Sequence, residues 1–353
     1  MFRIAKRESI EKKWALSIRM LGILGALVAT SIIILFMGHN PFEVLFSMAK
    51  GGFASVIRIE NTVIKAIPLA ITAIGIAIAF RMKFWNIGGE GQIMLGAIAA
   101  TYVALHYSYL SRPLLLVIMF VVAFIFGGLW ALIPAFFKVK FGTNETLFTL
   151  MMNYIALKTV GYLQYTAWKD PKGMGFPIIA KFEKSGYLPE VFDIHIGWII
   201  AIVIAIIIYI VIHHTKQGYE INVVGGSINT AKYAGMKVKK IILVSMLLSG
   251  GICGIAGMIQ VAGVSHTLTV NTSGGVGFSA IIVAWLAKLK EGTIILVAIL
   301  FAGMIQGGNY IQTAFQIPAS VAQILQGIIL LFVLGSEFFI QYKIFINNKE
   351  VAK

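Results

Sequence analysis

The chain has 353 residues, 59% hydrophobic and 12% charged, with a mean hydropathy of +0.89. A soluble domain usually carries about a quarter charged residues, so this chain has too little polar surface to cover a water-soluble globule. The net charge of +15 does not mark a nucleic-acid binder, because the basic residues lie in short clusters between apolar runs.

In chain order, a basic N-terminus (Arg3, Lys6, Arg7, Lys12, Lys13) precedes an apolar run at 15–38. That run is long enough to span a bilayer and reads as a retained first helix rather than a cleaved signal. Further runs follow at 62–80, 91–107, 113–136, 146–163, 196–212, 241–264, 276–289, 291–307 and 319–335. The run at 276–289 is short, which leaves a full crossing and a re-entrant piece both open, and nine or ten spans with them. The expected fold is an all-α polytopic membrane protein, one transmembrane domain over 1–353, with about ten helices and at least one broken or re-entrant segment.

Charge gives these runs a direction. With the N-terminus in the cytoplasm, ten crossings place Arg81, Lys83, Lys138, Lys140, Lys216, Lys232, Lys237, Lys239, Lys240, Lys288, Lys290, Lys343, Lys349 and Lys353 inside. The outer loops keep Lys50, Arg58, Arg112, Lys169, Lys172, Lys181 and Lys184, an excess inside that matches the positive-inside rule. Both termini are therefore expected in the cytoplasm, as tails 1–14 and 336–353, and the protein in the cell membrane. Residues 164–195 form an outer loop with Pro171, Pro177 and Pro189; a docking surface and a plain connector are equally open there. Residues 213–240 form an inner loop.

Several chemistries are missing. No Gly-Lys dipeptide occurs, so no phosphate-cradling P-loop exists and the chain is not itself a Walker-type ATPase. Cys253 is the single cysteine, which rules out an intramolecular disulfide. The histidines form no zinc pattern, and nothing resembles a nucleophile elbow or a catalytic carboxylate pair. No catalytic residue, metal site or cofactor is expected in the chain.

Four constellations remain. In Phe84-Trp-Asn-Ile-Gly-Gly-Glu-Gly-Gln92, Gly88, Gly89 and Gly91 make a continuous helix costly. Non-helical backbone at membrane depth is tolerated only inside protein or along a watery cavity, so Asn86, Glu90 and Gln92 are candidate pathway residues; a solvated cytoplasmic loop is the alternative. A second glycine-rich interruption, Asn271-Thr-Ser-Gly-Gly-Val-Gly-Phe278, sits in the other half of the chain. Asn144 and Glu145 suit the N-terminus of the fifth span, with Asn153 and Tyr154 farther in, where an amide is expensive unless paired. Lys158 should snorkel outward or face the bundle.

In the inner loop, Thr230 to Tyr233 reads as a short helix closed by Gly235, with Ala231 and Ala234 small enough to seat in a partner's groove. Gly225, Ser227 and Tyr233 complete this candidate docking element. Finally, Gly250, Gly254 and Gly257 share a helix face suited to close helix contact. The amides Gln260, Gln306 and Asn309 are candidate pathway groups, or helix glue, and suit a neutral hydrogen-bonding solute better than an ion.

At these residues the sequence resembles the permease subunits of ABC importers for nucleosides and simple sugars, in the ribose/branched-chain amino acid permease superfamily. Phe84–Gln92 fits that family's F-x-N-I-G-x-E-G-Q signature. Asn144-Glu145 with Met151-Met-Asn-Tyr-Ile-Ala156 fits its N-E … M-L-N-Y-I-A pattern, and the segment from Gly218 to Gly235 fits its coupling loop, departing from it at Asn222, Ser227 and Ile228. Gly275 to Ala284 is a looser match. The resemblance implies a cytoplasmic ABC ATPase holding ATP and Mg, an extracellular solute-binding lipoprotein, and a homologous second permease as heterodimer partner. A secondary transporter driven by an ion gradient is the alternative; it needs a buried ionisable relay, for which Glu90 and Lys158 are the candidates.

Overall fold

The computed structural model describes residues 3–7 and 11–345; Lys349, Lys353 and the ends of both expected tails lie outside them. The described chain is helical: α1 (Lys12–Phe36), α2 (Pro41–Phe53), α3 (Val56–Arg81), α4 (Gly89–His106), α5 (Arg112–Phe141), α6 (Glu145–Tyr165), α7 (Gly197–His214), α8 (Lys216–Gly226), α9 (Ile228–Tyr233), α10 (Val238–Gln260), α11 (Val276–Leu286), α12 (Glu291–Ala314) and α13 (Ala319–Gln341). Short strands β1 (Arg3–Lys6) and β4 (Tyr342–Phe345) pair antiparallel, and β2 (Glu190–Val191) pairs with β3 (Ile194–His195). Every apolar run read from the sequence is a helix.

Seven helices among the described residues are long and apolar enough to cross a membrane: α1, α3, α5, α7, α10 with its π-helical extension to Ser265, α12 and α13. The expected count of about ten exceeds this for a physical reason. The amino half of α4 carries Glu90 and Gln92, α6 carries Asn153 and Lys158, and α11 has only 11 residues. Two helices escaped the periodicity. Asn40 caps α2 by accepting from the Phe42 amide at 3.0 Å, with Pro41 at the first helical position. Lys216–Gly226 forms α8, which begins on Thr215.

The chain divides into two compact units. One comprises residues 1–61 and 303–353. Its α1 and α13 pack together, Arg19 pairs with Glu337 at 2.6 Å, and Ile34, Val44, Met48, Ile311, Ile317, Ala322 and Leu325 form its core. The other, residues 62–302, is built on α4, α5 and α10. Here the glycine face expected on α10 does its packing: a Cβ at Gly254 would collide with the Ala123 carbonyl, and one at Gly257 with the Ile93 carbonyl. Backbones approach this closely only without side chains between them.

Candidate functional site

The site of interest in the larger unit is a pair of interrupted helices. After Arg81 the chain leaves α3, runs non-helically through residues 82–88 and enters α4. After Ser265 it runs non-helically from His266 to Gly275, both left-handed, and enters α11. Met82, Phe84, Asn86 and Gly88 are buried at the first break and Leu268, Thr272 and Ser273 at the second, which makes the fate of the backbone polar groups there an accounting question.

At the first break, side chains close the account. Asn86, fully buried, accepts from the Gly88 amide at 3.0 Å and from Gln92 Nε2 at 3.1 Å. Its own Nδ2 reaches Gln92 Oε1 and Ser249 Oγ, each at 3.3 Å. The Ile87 amide donates to Thr149 Oγ1 at 3.2 Å. Asn153, 1% exposed on α6, accepts from the Gly91 amide at 2.8 Å and donates to the Ile87 carbonyl at 2.9 Å. The expectation that a deep amide must be paired is thus met by a residue that caps α4 from another helix.

At the second break, Thr272 Oγ1 accepts from the Thr269 amide at 2.9 Å, and Gln260 Nε2 donates to the Thr272 carbonyl at 3.1 Å. The first turn of α11 is capped by Glu90. Its oxygens accept from the Gly275 and Gly277 amides at 2.8 and 2.7 Å, with the side chain 4% exposed. Gly277 has no room for a Cβ, which would collide with the Glu90 amide. Trp85 stacks on Trp285 at the other end of α11, centroids 5.7 Å apart and rings 17° from parallel.

The structure therefore brings Asn86, Glu90, Gln92 and Asn153 into one buried cluster, and places Gln260 at the second break. It does not bring Tyr154 to them: that residue is 62% exposed, turned about 100° around α6 from Asn153. Lys158 is also exposed. Gln306 and Asn309 belong to the other unit, where Asn309 is exposed and Gln306 half-buried. The solvated-loop reading of Glu90 fails, because the residue is buried and bonded. Thr149, Ser249 and the Trp85–Trp285 pair were missed; their letters are ordinary helix and interface residues, and only contact reveals their part.

The inner loop has the expected punctuation. Ser227 caps α9 by accepting from the Thr230 amide at 3.3 Å. Gly235 closes it with φ +73°, its amide donating to the Lys232 carbonyl at 3.0 Å while Met236 donates to Ala231, the left-handed ending that glycine suits. Tyr233 is 93% exposed, and Ala234 and Gly235 are exposed too. Ala231, by contrast, is fully buried in its own chain, so its small size serves internal packing. Gly225 is buried against the Arg81 carbonyl, at the start of the first break. The Arg81 side chain in turn pairs with Glu291 at 2.8 Å and bonds the Leu289 carbonyl at 2.7 Å.

Residues 58–334, which include both breaks and the inner loop, match the family described as branched-chain amino acid transport system / permease component. The chain belongs to that permease family. This permease is a multi-pass membrane protein. It is 31% identical to the guanosine ABC transporter permease protein NupP of Bacillus subtilis, over 91% of this chain and 93% of that one. It is 29% identical to the glucose ABC transporter permease protein TsgB13 of Haloferax volcanii, over 92% and 88%. A second Bacillus subtilis protein, the guanosine ABC transporter permease protein NupQ, is 25% identical over 64% of this chain and 73% of its own length.

Proposed function

We propose that this permease is the membrane subunit of an ATP-driven importer and forms the path for a small polar solute, a nucleoside or a related sugar. The observation that carries this reading is the family match across 58–334, a stretch that contains both broken helices and the punctuated inner loop. The relatives named for guanosine and for glucose supply the solute class. In this reading the break residues Asn86, Glu90, Gln92 and Asn153, with Gln260, shape the path within their unit; Tyr154 on α6, and Gln306 and Asn309 in the other unit, are each proposed by themselves as solute-facing residues.

A cytoplasmic ABC ATPase that binds ATP and Mg docks on the inner loop, chiefly through exposed Tyr233, Ala234 and Gly235. An extracellular binding lipoprotein delivers the solute. Two relatives from one organism, both named for guanosine, favour a second, homologous permease as heterodimer partner. About ten crossings with both termini in the cytoplasm remain our reading of the topology. The pairing of β1 with β4 supports it, because it holds the two ends of the described chain side by side. The gradient-driven alternative loses support: Lys158 is exposed, and both Glu90 oxygens are occupied by backbone donors.

The test is uptake of labelled guanosine and of glucose into vesicles holding the permease, its ATPase and its binding protein. We expect accumulation that requires ATP and the ATPase. Accumulation without the ATPase that a protonophore abolishes would refute the proposal. A large side chain in place of Gly235 is expected to separate ATP hydrolysis from uptake, read as solute-stimulated ATPase activity in the same vesicles.

A further inference from the structure

Glu90 sits where a solute-contacting acid or a proton relay would be sought, yet its geometry points elsewhere. Both carboxylate oxygens accept backbone hydrogen bonds from the first turn of α11, at 2.8 and 2.7 Å. The N-terminal dipole end of α11 suits an acidic side chain at this place. Among the described residues Glu90 makes no ion pair, so these two amides are what balance it. Two further contacts bind the same segments. Gly277 meets the Glu90 backbone without room for a side chain, and Trp85 stacks on Trp285. Each break alone is a stretch of backbone without a helix to stiffen it; the clamp and the stack join them.

We propose that Glu90 is a positioning residue for transport. It tethers α11 to the first break, so that residues 84–92 and α11 move as one body during the transport cycle. The role deepens the transport reading above and rests on it. It also makes a demand that a solute-contacting acid does not: a different link between the same segments should replace Glu90.

The experiment therefore uses that substitute link. Trp85 and Trp285 are replaced by cysteine and joined with a short thiol-specific bifunctional reagent in the assembled complex. Cys253 is fully buried in the structure, and the single-cysteine variants control for it. ATP-dependent uptake of guanosine and of glucose is measured before linking, after linking and after reduction. With Glu90 present, linking should leave uptake unchanged. With Glu90→Gln, uptake should fall by about tenfold, the scale of losing one charged hydrogen bond, and linking should restore most of it.

Loss of uptake on linking, regained on reduction, would overturn the single-body motion. Normal uptake by Glu90→Gln, or a defect that linking fails to repair, would overturn the tether. Should Glu90→Gln not assemble, the linked variant that retains Glu90 still decides whether the two segments must separate. If the unaltered complex takes up neither guanosine nor glucose, it is the transport reading that fails, and the two failures are distinct.

Discussion

The helices that follow the two breaks begin in the same predicament and are rescued by different chemistry. Both α4 and α11 start against other parts of the same unit, with first-turn amides that have no helical partners. The α4 terminus borrows a neutral amide, Asn153, from α6; the α11 terminus borrows a carboxylate, Glu90, from α4. The difference follows from what each site offers. At α4 the Gly91 amide needs an acceptor while the Ile87 carbonyl, 2.9 Å from Asn153 Nδ2, needs a donor, and an amide side chain supplies both. At α11 Glu90 meets two donors, so a group that only accepts is the better fit.

Exchanging these chemistries is the strongest way to break the comparison. Asn153→Asp sets a carboxylate oxygen against the Ile87 carbonyl and removes its donor. We expect a loss of about 3 kcal/mol, the upper range for a buried unpaired group, read as thermal unfolding of the solubilised complex. A wild-type melting curve would show that the Ile87 carbonyl does not need Asn153. Gly277→Ala drives a Cβ onto the Glu90 amide and should cost somewhat less, about 2 kcal/mol, by overpacking. Gly275→Ala is the sharper companion. Nothing lies within 4 Å of its Cβ position, so only its φ of +80° is at stake, and about 1 kcal/mol is expected. If both alanines cost the same, close contact is not what keeps Gly277 bare.

Thr272→Val, which removes the acceptor for the Thr269 amide, should cost about 1 kcal/mol in the same unfolding measurement. A further effect is one of pH. Gly263, just before the second break, packs on buried His195, whose Nδ1 accepts from the Gly197 amide at 3.3 Å. Burial, aided by nearby His266, holds the His195 pKa down to about 4, against an ordinary 6.5. Between those values the unfolded chain binds a proton that the folded chain refuses. His195 should therefore contribute full stability above pH 6.5 and lose it progressively as the pH falls toward 4. Comparing melting temperatures of wild type and His195→Asn across that window checks this; an unchanged pH slope would refute it.

Much of the molecule was legible in the letters. Apolar runs located the helices, Asn144 and Gly235 marked helix ends, and the absence of Gly-Lys separated transport from its motor. Glycines at 88, 89, 91, 274 and 275 announced both breaks, because glycine disfavours a continuous helix; of these, Gly274 and Gly275 also take left-handed φ. The partners of the polar residues were not legible. Glu90 is separated by 185 residues from Gly275, and Asn153 by 62 from Gly91, distances over which local periodicity carries no information. Side-chain environment was equally hidden: Asn153 and Tyr154 are neighbours in sequence, yet one is sealed and the other exposed. The sequence by itself determined that this chain is a bundle of membrane helices with two interruptions, since hydrophobic length and helix propensity act locally. Only the tertiary structure decided that the interruptions meet, because long-range packing alone decides which acceptor satisfies a buried amide.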